Sequence, residues 1–480
     1  MKKVWSLIIC FCVVTGLLLT GCQSNSSDAT DGSDGKEGDV TLTLWNNISA
    51  GRTYFPILIE KFEEKNPNIN INLKNLSVES SQAQYQAAIS DNNLPDMFTT
   101  SSYSISQLVD LDLVHSLNSI FPKKAQKQYT DGVFAPGNTM VGDKIYLFPI
   151  YKGGAYMMYY NKDVLNKLGI EKIPETWDEL EEAGKKVYEK SDGKTYGLLF
   201  GGKSEWLVNA VTQMMARGIS PVSGLDYKTG KYNYSTEGHI ETIKYFKDLF
   251  DNNVLSPVSL ETNSTKVRAL FASGQSAFLF DGNWSGLLMH KNGFDNFGVA
   301  PLPVKSNGGH PYGEFGLGSG DGMYVSKNTE HWPEVKRFLK FLRENIYGEA
   351  IKVGEATVAK NFDAVKAEPP IPQIKTIQEI FLKSNIRAPE PVKLNPAALD
   401  VTLEVNNNAP DTNVGSVLMG YLAGQVSDLE GTLQKITDGY NEAFTKALES
   451  NDKINRENFI FPNWKPYQPY GKEDYQELKK

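Results

Sequence analysis

The residues able to do chemistry are few in type, and their spacing excludes most reactions at once. Five histidines, His115, His239, His290, His310 and His331, are scattered without the short intervals that gather a metal ion. No G-x-S-x-G turn, H-E-x-x-H helix or G-x-G-x-x-G turn occurs. With 57 acidic residues in 480, pairs of carboxylates are inevitable and point to no hydrolytic site. What the chain does bring together are flat aromatic rings and polar side chains. Trp45 closes an apolar alternation and is followed by Asn46 and Asn47. In a parallel sheet ligands lie beyond that end of a strand, so Trp45 is either a ligand contact or core. Asp281 opens the stretch Asp281-Gly282-Asn283-Trp284, where its carboxylate either accepts from a ligand hydroxyl or bonds its own turn. Glu314 precedes and Asp321 lies within the glycine run of residues 316–322. Rings that cover C–H faces, with carboxylates and amides for hydroxyls, suit a neutral carbohydrate.

A second kind of chemistry sits at the N-terminus. All three cysteines, Cys10, Cys12 and Cys22, fall within the first 22 residues. Lys2 and Lys3 precede an apolar run from Val4 to Leu19, shorter than the roughly 20 residues of a spanning helix. It ends in Leu19-Thr20-Gly21-Cys22, which resembles the bacterial lipobox, with cleavage before Cys22 and lipid on its sulfur. An uncleaved anchor is the alternative. Loss of signal residues 1–21 removes Lys2 and Lys3 and moves the formal net charge from −8 to −10. Cys22 would then stand alone, so no intrachain disulfide is expected. Residues 22–39 read as a lipidated flexible tether, because they carry no large apolar side chain that could order them. A diacyl-type anchor holds where a single chain would not, and no later segment is long and apolar enough to span a bilayer.

The elements that must position the rings follow from periodicity. Charged residues make up 22% and hydrophobic ones 40%, a folded, non-membrane composition, and the length predicts two or three domains. The acidic balance argues against a nucleic-acid partner. Val40–Trp45 alternates as a strand, Tyr54–Lys65 is an amphipathic helix stopped at Asn66-Pro67, and Ile69, Ile71 and Leu73 alternate again. That βαβ unit implies a parallel sheet. Runs at Ile145–Ile150 and Ala155–Tyr160 read as strands. Thr176 and Glu179 form a capping box that opens a helix. Residues 333–346 and 427–449 are further amphipathic helices, and the last 30 residues read as an extended tail.

Nine pieces in one order, LTLW, FEEKNPNININ, LPDMF, IYLFPI, YYNKDVLNKLGI, IPETWDEL, LFASGQSAFLFDGNW, FGVAPLPV and YVSKNTEHWPEVKRFLKFL, resemble family 1 of the extracellular solute-binding proteins. These are the substrate-capturing lipoproteins of sugar ABC importers. The resemblance covers roughly residues 40–345 and leaves 355–410 unmatched. It implies an α/β fold of two lobes, each a mostly parallel sheet flanked by helices, joined by crossing hinge strands near Ile150–Gly154 and Gly298–Pro303. One lobe would take residues 40–150 plus 304–350, the other 154–297 plus 351–450, with 451–480 as tail. By family position Trp284 stacks on sugar, Trp206 with Glu205 marks an aromatic at a helix start, and Tyr103 lies in a cleft loop. Asp96 and the pair Tyr159-Tyr160 read as structural, as do Trp177, Trp332 and Trp464. The implied partners are a carbohydrate ligand, ABC permease subunits and the membrane through lipid only, with a monomeric protein on the outer face of a Gram-positive cell, and no cofactor.

Rival functions are compatible with the same residues. An anchored glycoside hydrolase or lyase would need a catalytic site, for which no motif is present. A structural or adhesive lipoprotein would not need hinges. A binder of peptides, polyamines or metal ions on the same fold is separated from a sugar binder only by the aromatic content of 11%.

Overall fold

The computed structural model describes residues 40–99, 103, 105–129, 133–134, 139–150, 154–306, 309–315, 322–353 and 369–478. The signal, Cys22, the tether and Asp321 lie outside the described residues. In chain order the strands used below are β1 (Val40–Asn46), β2 (Ile69–Asn75), β3 (Met97–Thr99), β4 (Phe148–Pro149), β5 (Tyr156–Asn161), β6 (Tyr196–Leu199), β7 (Ser276–Gly282), β8 (Phe297–Ala300), β9 (Gly313–Phe315), β10 (Gly322–Val325) and β11 (Asn385–Arg387). The helices are α1 (Gly51–Glu63), α2 (Trp177–Lys190), α3 (Glu205–Arg217), α4 (Glu237–Asp251), α5 (Ser264–Ala272), α6 (Trp332–Lys352), α7 (Gln373–Ser384), α8 (Ala398–Asn408), α9 (Val414–Leu422) and α10 (Leu429–Glu449).

The first sheet has the order β2-β1-β3-β10-β4. Alternation in β1 buries Leu42 and Leu44 while Thr41 faces solvent, and β1 runs parallel to both β2 and β3. The βαβ reading therefore holds. Helix α1 turns Tyr54, Phe55, Leu58 and Phe62 inward, and the Phe62 ring meets Phe338 of α6 edge-on at 5.0 Å. Asp96 is structural, as expected: its Oδ2 accepts from the Thr43 N–H and hydroxyl, both at 2.8 Å.

The second sheet has the order β8-β5-β7-β6. All of β7 is buried, as fits a strand covered on both faces. Strand β5 is antiparallel to β7 and β8, whereas β6 and β7 are parallel. Both sheets are thus mixed, because strands returning from the other lobe enter antiparallel, as β10 does against β3. The capping box at α2 is present, with Thr176 accepting from the Glu179 N–H and the Glu179 carboxylate accepting from the Thr176 N–H. Trp177 is core, stacked on Tyr245 of α4 with centroids 4.3 Å apart. Helices α8 and α10 make a separate apolar cluster around Val401, Val405 and Phe444.

Three expectations change. Ile145–Ile150 is no single strand but two short pieces, the outer one in a ribbon of Met140–Val141 with Lys144–Ile145. The residues after β8 do not cross between lobes: Trp177 donates from its ring to the Pro303 carbonyl at 3.1 Å, and Val304 exchanges backbone bonds with Glu175 and Trp177. The chain stays with α2 and α3 through β9 and rejoins the first sheet only at Gly322. The tail is not simply extended; Phe461, Trp464 and Tyr470 form a small core of their own.

His239 gives the fold a pH signature. It is fully buried between Thr236 and Ser223, with each ring nitrogen 2.8 Å from a hydroxyl oxygen. Burial, aided by the charge of Arg217, holds its pKa down to about 3 from 6.5. The unfolded chain therefore binds a proton that the folded one refuses, and stability falls as pH drops from 6.5 toward 3. The loss from this group approaches about 1.4 kcal/mol per pH unit inside that window. Thermal unfolding followed from pH 7 to 4 should show it, and His239→Gln should flatten the slope. An unchanged slope in that variant would remove His239 as its source.

Candidate functional site

Trp284 follows β7 directly and owes its position to the three residues before it. Asp281 is fully enclosed: Oδ2 pairs with Arg268 of α5 at 3.0 Å and Oδ1 accepts the Gly282 N–H at 2.8 Å. Asn283, also fully buried, accepts the Ala155 N–H on its Oδ1 at 3.0 Å, while its own N–H donates to the Ala155 carbonyl at 2.9 Å. The Tyr159 hydroxyl donates to the Gly282 carbonyl at 2.8 Å. With its neighbours fixed, the Trp284 ring lies over two backbones. A Cβ on Gly282 would stand 2.2 Å from it and one on Gly154 2.8 Å, so only glycine leaves the space.

Two further rings complete an aromatic wall. Tyr156, at the start of β5, meets Trp284 edge-on with centroids 5.9 Å apart. Trp206, in the first turn of α3, lies 5.5 Å from Trp284 at a tilt of 48°. All three are half-buried, so each keeps surface for a ligand. The wall adjoins Gly154, just ahead of β5, the strand with which the chain enters the second sheet. Arrays of this kind bind by covering C–H faces and need no charged partner. Tyr156 and Asn283 were not singled out from the sequence. The alternation of Tyr156, Met158 and Tyr160 along β5 carried a signal for the first; nothing marked the second.

The remaining candidates divide. Glu205 is exposed at the start of α3 and accepts from Asn413 Nδ2 at 2.6 Å. Trp45 is half-buried at the carboxyl end of β1, 5.8 Å from Tyr85, with the Lys74 ammonium 4.2 Å over its ring. Tyr103 is half-buried beside that cluster, and burial raises its pKa against a hydrogen bond from Gln86. Asn46 is a correction: it is fully buried, donates to Asn75 Oδ1 at 2.8 Å and the Ile48 carbonyl, and accepts the Ile48 N–H. Its amide closes the turn after β1 and is not available to a solute. Asp281 is a second, since the ion pair with Arg268 and its own turn take both oxygens. Glu314 lies on β9 with Oε2 3.8 Å from Arg217 Nε, and burial pushes its carboxyl above the usual range while Arg217 opposes that shift. No cluster of three or more metal-ligating side chains occurs among the described residues, and no described helix is long and apolar enough to cross a membrane.

Comparison with known proteins accords with this geometry. The chain is 24% identical over 362 residues to the arabinooligosaccharide-binding protein of Bacillus subtilis, covering 72% of this chain and 77% of that one. It is 23% identical over 342 residues to the multiple sugar-binding protein of Streptococcus mutans, covering 68% and 76%. Among solved structures it superposes on the maltose/maltodextrin-binding domain of Bdellovibrio bacteriovorus bound to maltotriose with a TM-score of 0.63 and 21% identity, over 85% of this chain and 100% of that one. That likeness establishes the two-lobed fold. The family model for bacterial extracellular solute-binding proteins matches residues 46–349, more than half of the sequence. The chain belongs to that family, whose members are receptors for solutes and not enzymes.

Proposed function

We propose that this protein captures a carbohydrate, in particular an oligosaccharide, between its two lobes and delivers it to the permease of an ABC importer. The observation that carries this reading is the half-buried wall of Tyr156, Trp206 and Trp284 beside the first passage between the lobes. Trp284 and Trp206 are its central contacts, and Glu205, Trp45 and Tyr103 stand as rim contacts for hydroxyls and ring faces. A solute touching both lobes only when they close would shift an open–closed equilibrium toward the closed form. The relatives named for arabinooligosaccharides and multiple sugars support the ligand class. Cys22, after the leader, carries the lipid that holds the monomer on the outer face of a Gram-positive membrane, and residues 22–39 tether it there.

Tryptophan fluorescence titrated with arabinotriose, xylotriose, maltotriose and chitotriose tests the wall. One sugar should change the emission, and Trp284→Ala should weaken its binding at least tenfold, about 1.4 kcal/mol. Asp281→Asn, which breaks a buried pair, should lower the melting temperature without changing which sugar is preferred. Equal affinity in parent and Trp284→Ala would take Trp284 out of the site. In a separate experiment Cys22→Ser should move the protein from the membrane fraction to the medium; retention in the membrane would favour an uncleaved anchor.

A further inference from the structure

Helix α6 carries a stripe of positive charge. Val335, Phe338, Leu339, Leu342 and Ile346 turn into the core, which leaves Lys336, Lys340 and Arg343 in line on another face, with Arg337 beside them. Lys336 stands 5.5 Å over the ring of Trp332, which stacks on His115 with centroids 4.4 Å apart. Glu344 is the stripe's one carboxylate, 3.6 Å from Arg343.

A second segment widens the stripe. Arg343 donates to the Ile120 carbonyl, and one turn on Tyr347 donates its hydroxyl to that of Tyr129 at 2.9 Å. Residues 120–129 are thereby laid against the same face, where they add the exposed Lys123, Lys124 and Lys127. Among the described residues, Lys336, Arg337, Lys340 and these lysines are in no ion pair. Neighbouring α1 brings Glu60, Glu63 and Glu64 together with Lys61 and Lys65, too little acid to cancel the face. The whole chain is formally −8, or −10 without Lys2 and Lys3, so the cations are gathered here against the general balance.

The N-terminal tether joins the body at the same place. The Val40 N–H donates to the Asn68 carbonyl at 2.9 Å, and just before Asn68 the Lys65 ammonium lies 5.8 Å over the ring of Phe341, next to Lys340. Trp45 lies toward the other end of β1, roughly 17 Å along the strand from Val40.

We propose that this face docks on the anionic phospholipid of the membrane to which the protein is tethered. It seats the body with the amino end of β1 toward the lipid and leaves the carboxyl end, with Trp45, clear of it. The inference rests on the reading of Cys22 as the anchor. Attraction of this kind falls off within a Debye length, so it acts on a body already held close. A coil the length of residues 22–39 has a root-mean-square span of roughly 25 Å, which keeps the face at high effective concentration over the bilayer.

The test uses residues 22–480, in which Cys22 is the only cysteine. Coupling its sulfur to a maleimide lipid fixes the chain to vesicles whether or not a cell acylates it. Failure of the anchor reading, seen by fractionating Cys22→Ser, thus stays separate from failure of the face. Vesicles of phosphatidylcholine alone are compared with a mixture of phosphatidylcholine and phosphatidylglycerol, and lysine acetylation is read by mass spectrometry. On the anionic vesicles acetylation should slow about threefold or more at Lys124, Lys336 and Lys340, and recover in high salt. Lys186 of α2 and Lys446 of α10, both exposed, should react alike on both. Reversing Lys124→Glu, Lys336→Glu and Lys340→Glu together should remove the protection of Lys123 and Lys127 while keeping the parent's melting temperature. Equal labelling of the face on both kinds of vesicle overturns the proposal. Protection that spreads equally to Lys186 and Lys446, or that survives the charge reversal, overturns it too.

Discussion

Trp284 lies so close to Gly154 and Gly282 that nothing larger than hydrogen fits beneath the ring at either position. This steric constraint organises the site. It ties the end of β7 to the start of β5, and so ties the largest aromatic surface to the point where the chain first changes lobes. The neighbouring bonds serve the same end: Asp281 is locked by Arg268, and Asn283 holds Ala155 from both sides. Buried polar groups of this kind fix geometry because each loses much if its partner moves.

The short Asp281–Trp284 stretch therefore divides its labour. Its two polar side chains face inward and are satisfied by the protein, while its one large ring faces out. Trp206 arrives from a different element, at the first turn of α3, where α9 packs through Asn413 and Gly415. The wall is thus assembled from β5, β7 and α3, and part of its support comes from the last third of the chain.

Much of this was legible in the residues. The N-terminal βαβ unit, the capping box at Thr176 and the structural roles of Asp96 and Trp177 rest on local periodicity or local hydrogen bonds, which sequence displays directly. Trp284 was marked by its place after Gly282 and Asn283. For Asp281 the turn alternative fits the structure, while its pairing with Arg268 on a separate helix was not legible, because no local pattern announces a partner 13 residues away. Asn46 was misread for a similar reason, its amide being claimed by Asn75 on the neighbouring strand. Pro301 and Pro303 suggested a hinge, yet stiff residues equally suit a segment laid along α2. The tail's Pro and Tyr content suggested wrapping, and the mutual burial of Phe461, Trp464 and Tyr470 depends on a fold-back that composition does not reveal.

The central claim, that an oligosaccharide is bound and left unchanged, is tested most directly by thermal unfolding of residues 24–480 with plant, glucan and host-glycan oligosaccharides. A sugar at 100 times its dissociation constant stabilises the native state by about 2.7 kcal/mol, a visible shift in melting temperature. The account predicts stabilisation by one sugar class, with that sugar recovered intact after prolonged incubation. Stabilisation by peptides or polyamines with none from any sugar would contradict it, and so would conversion of the sugar.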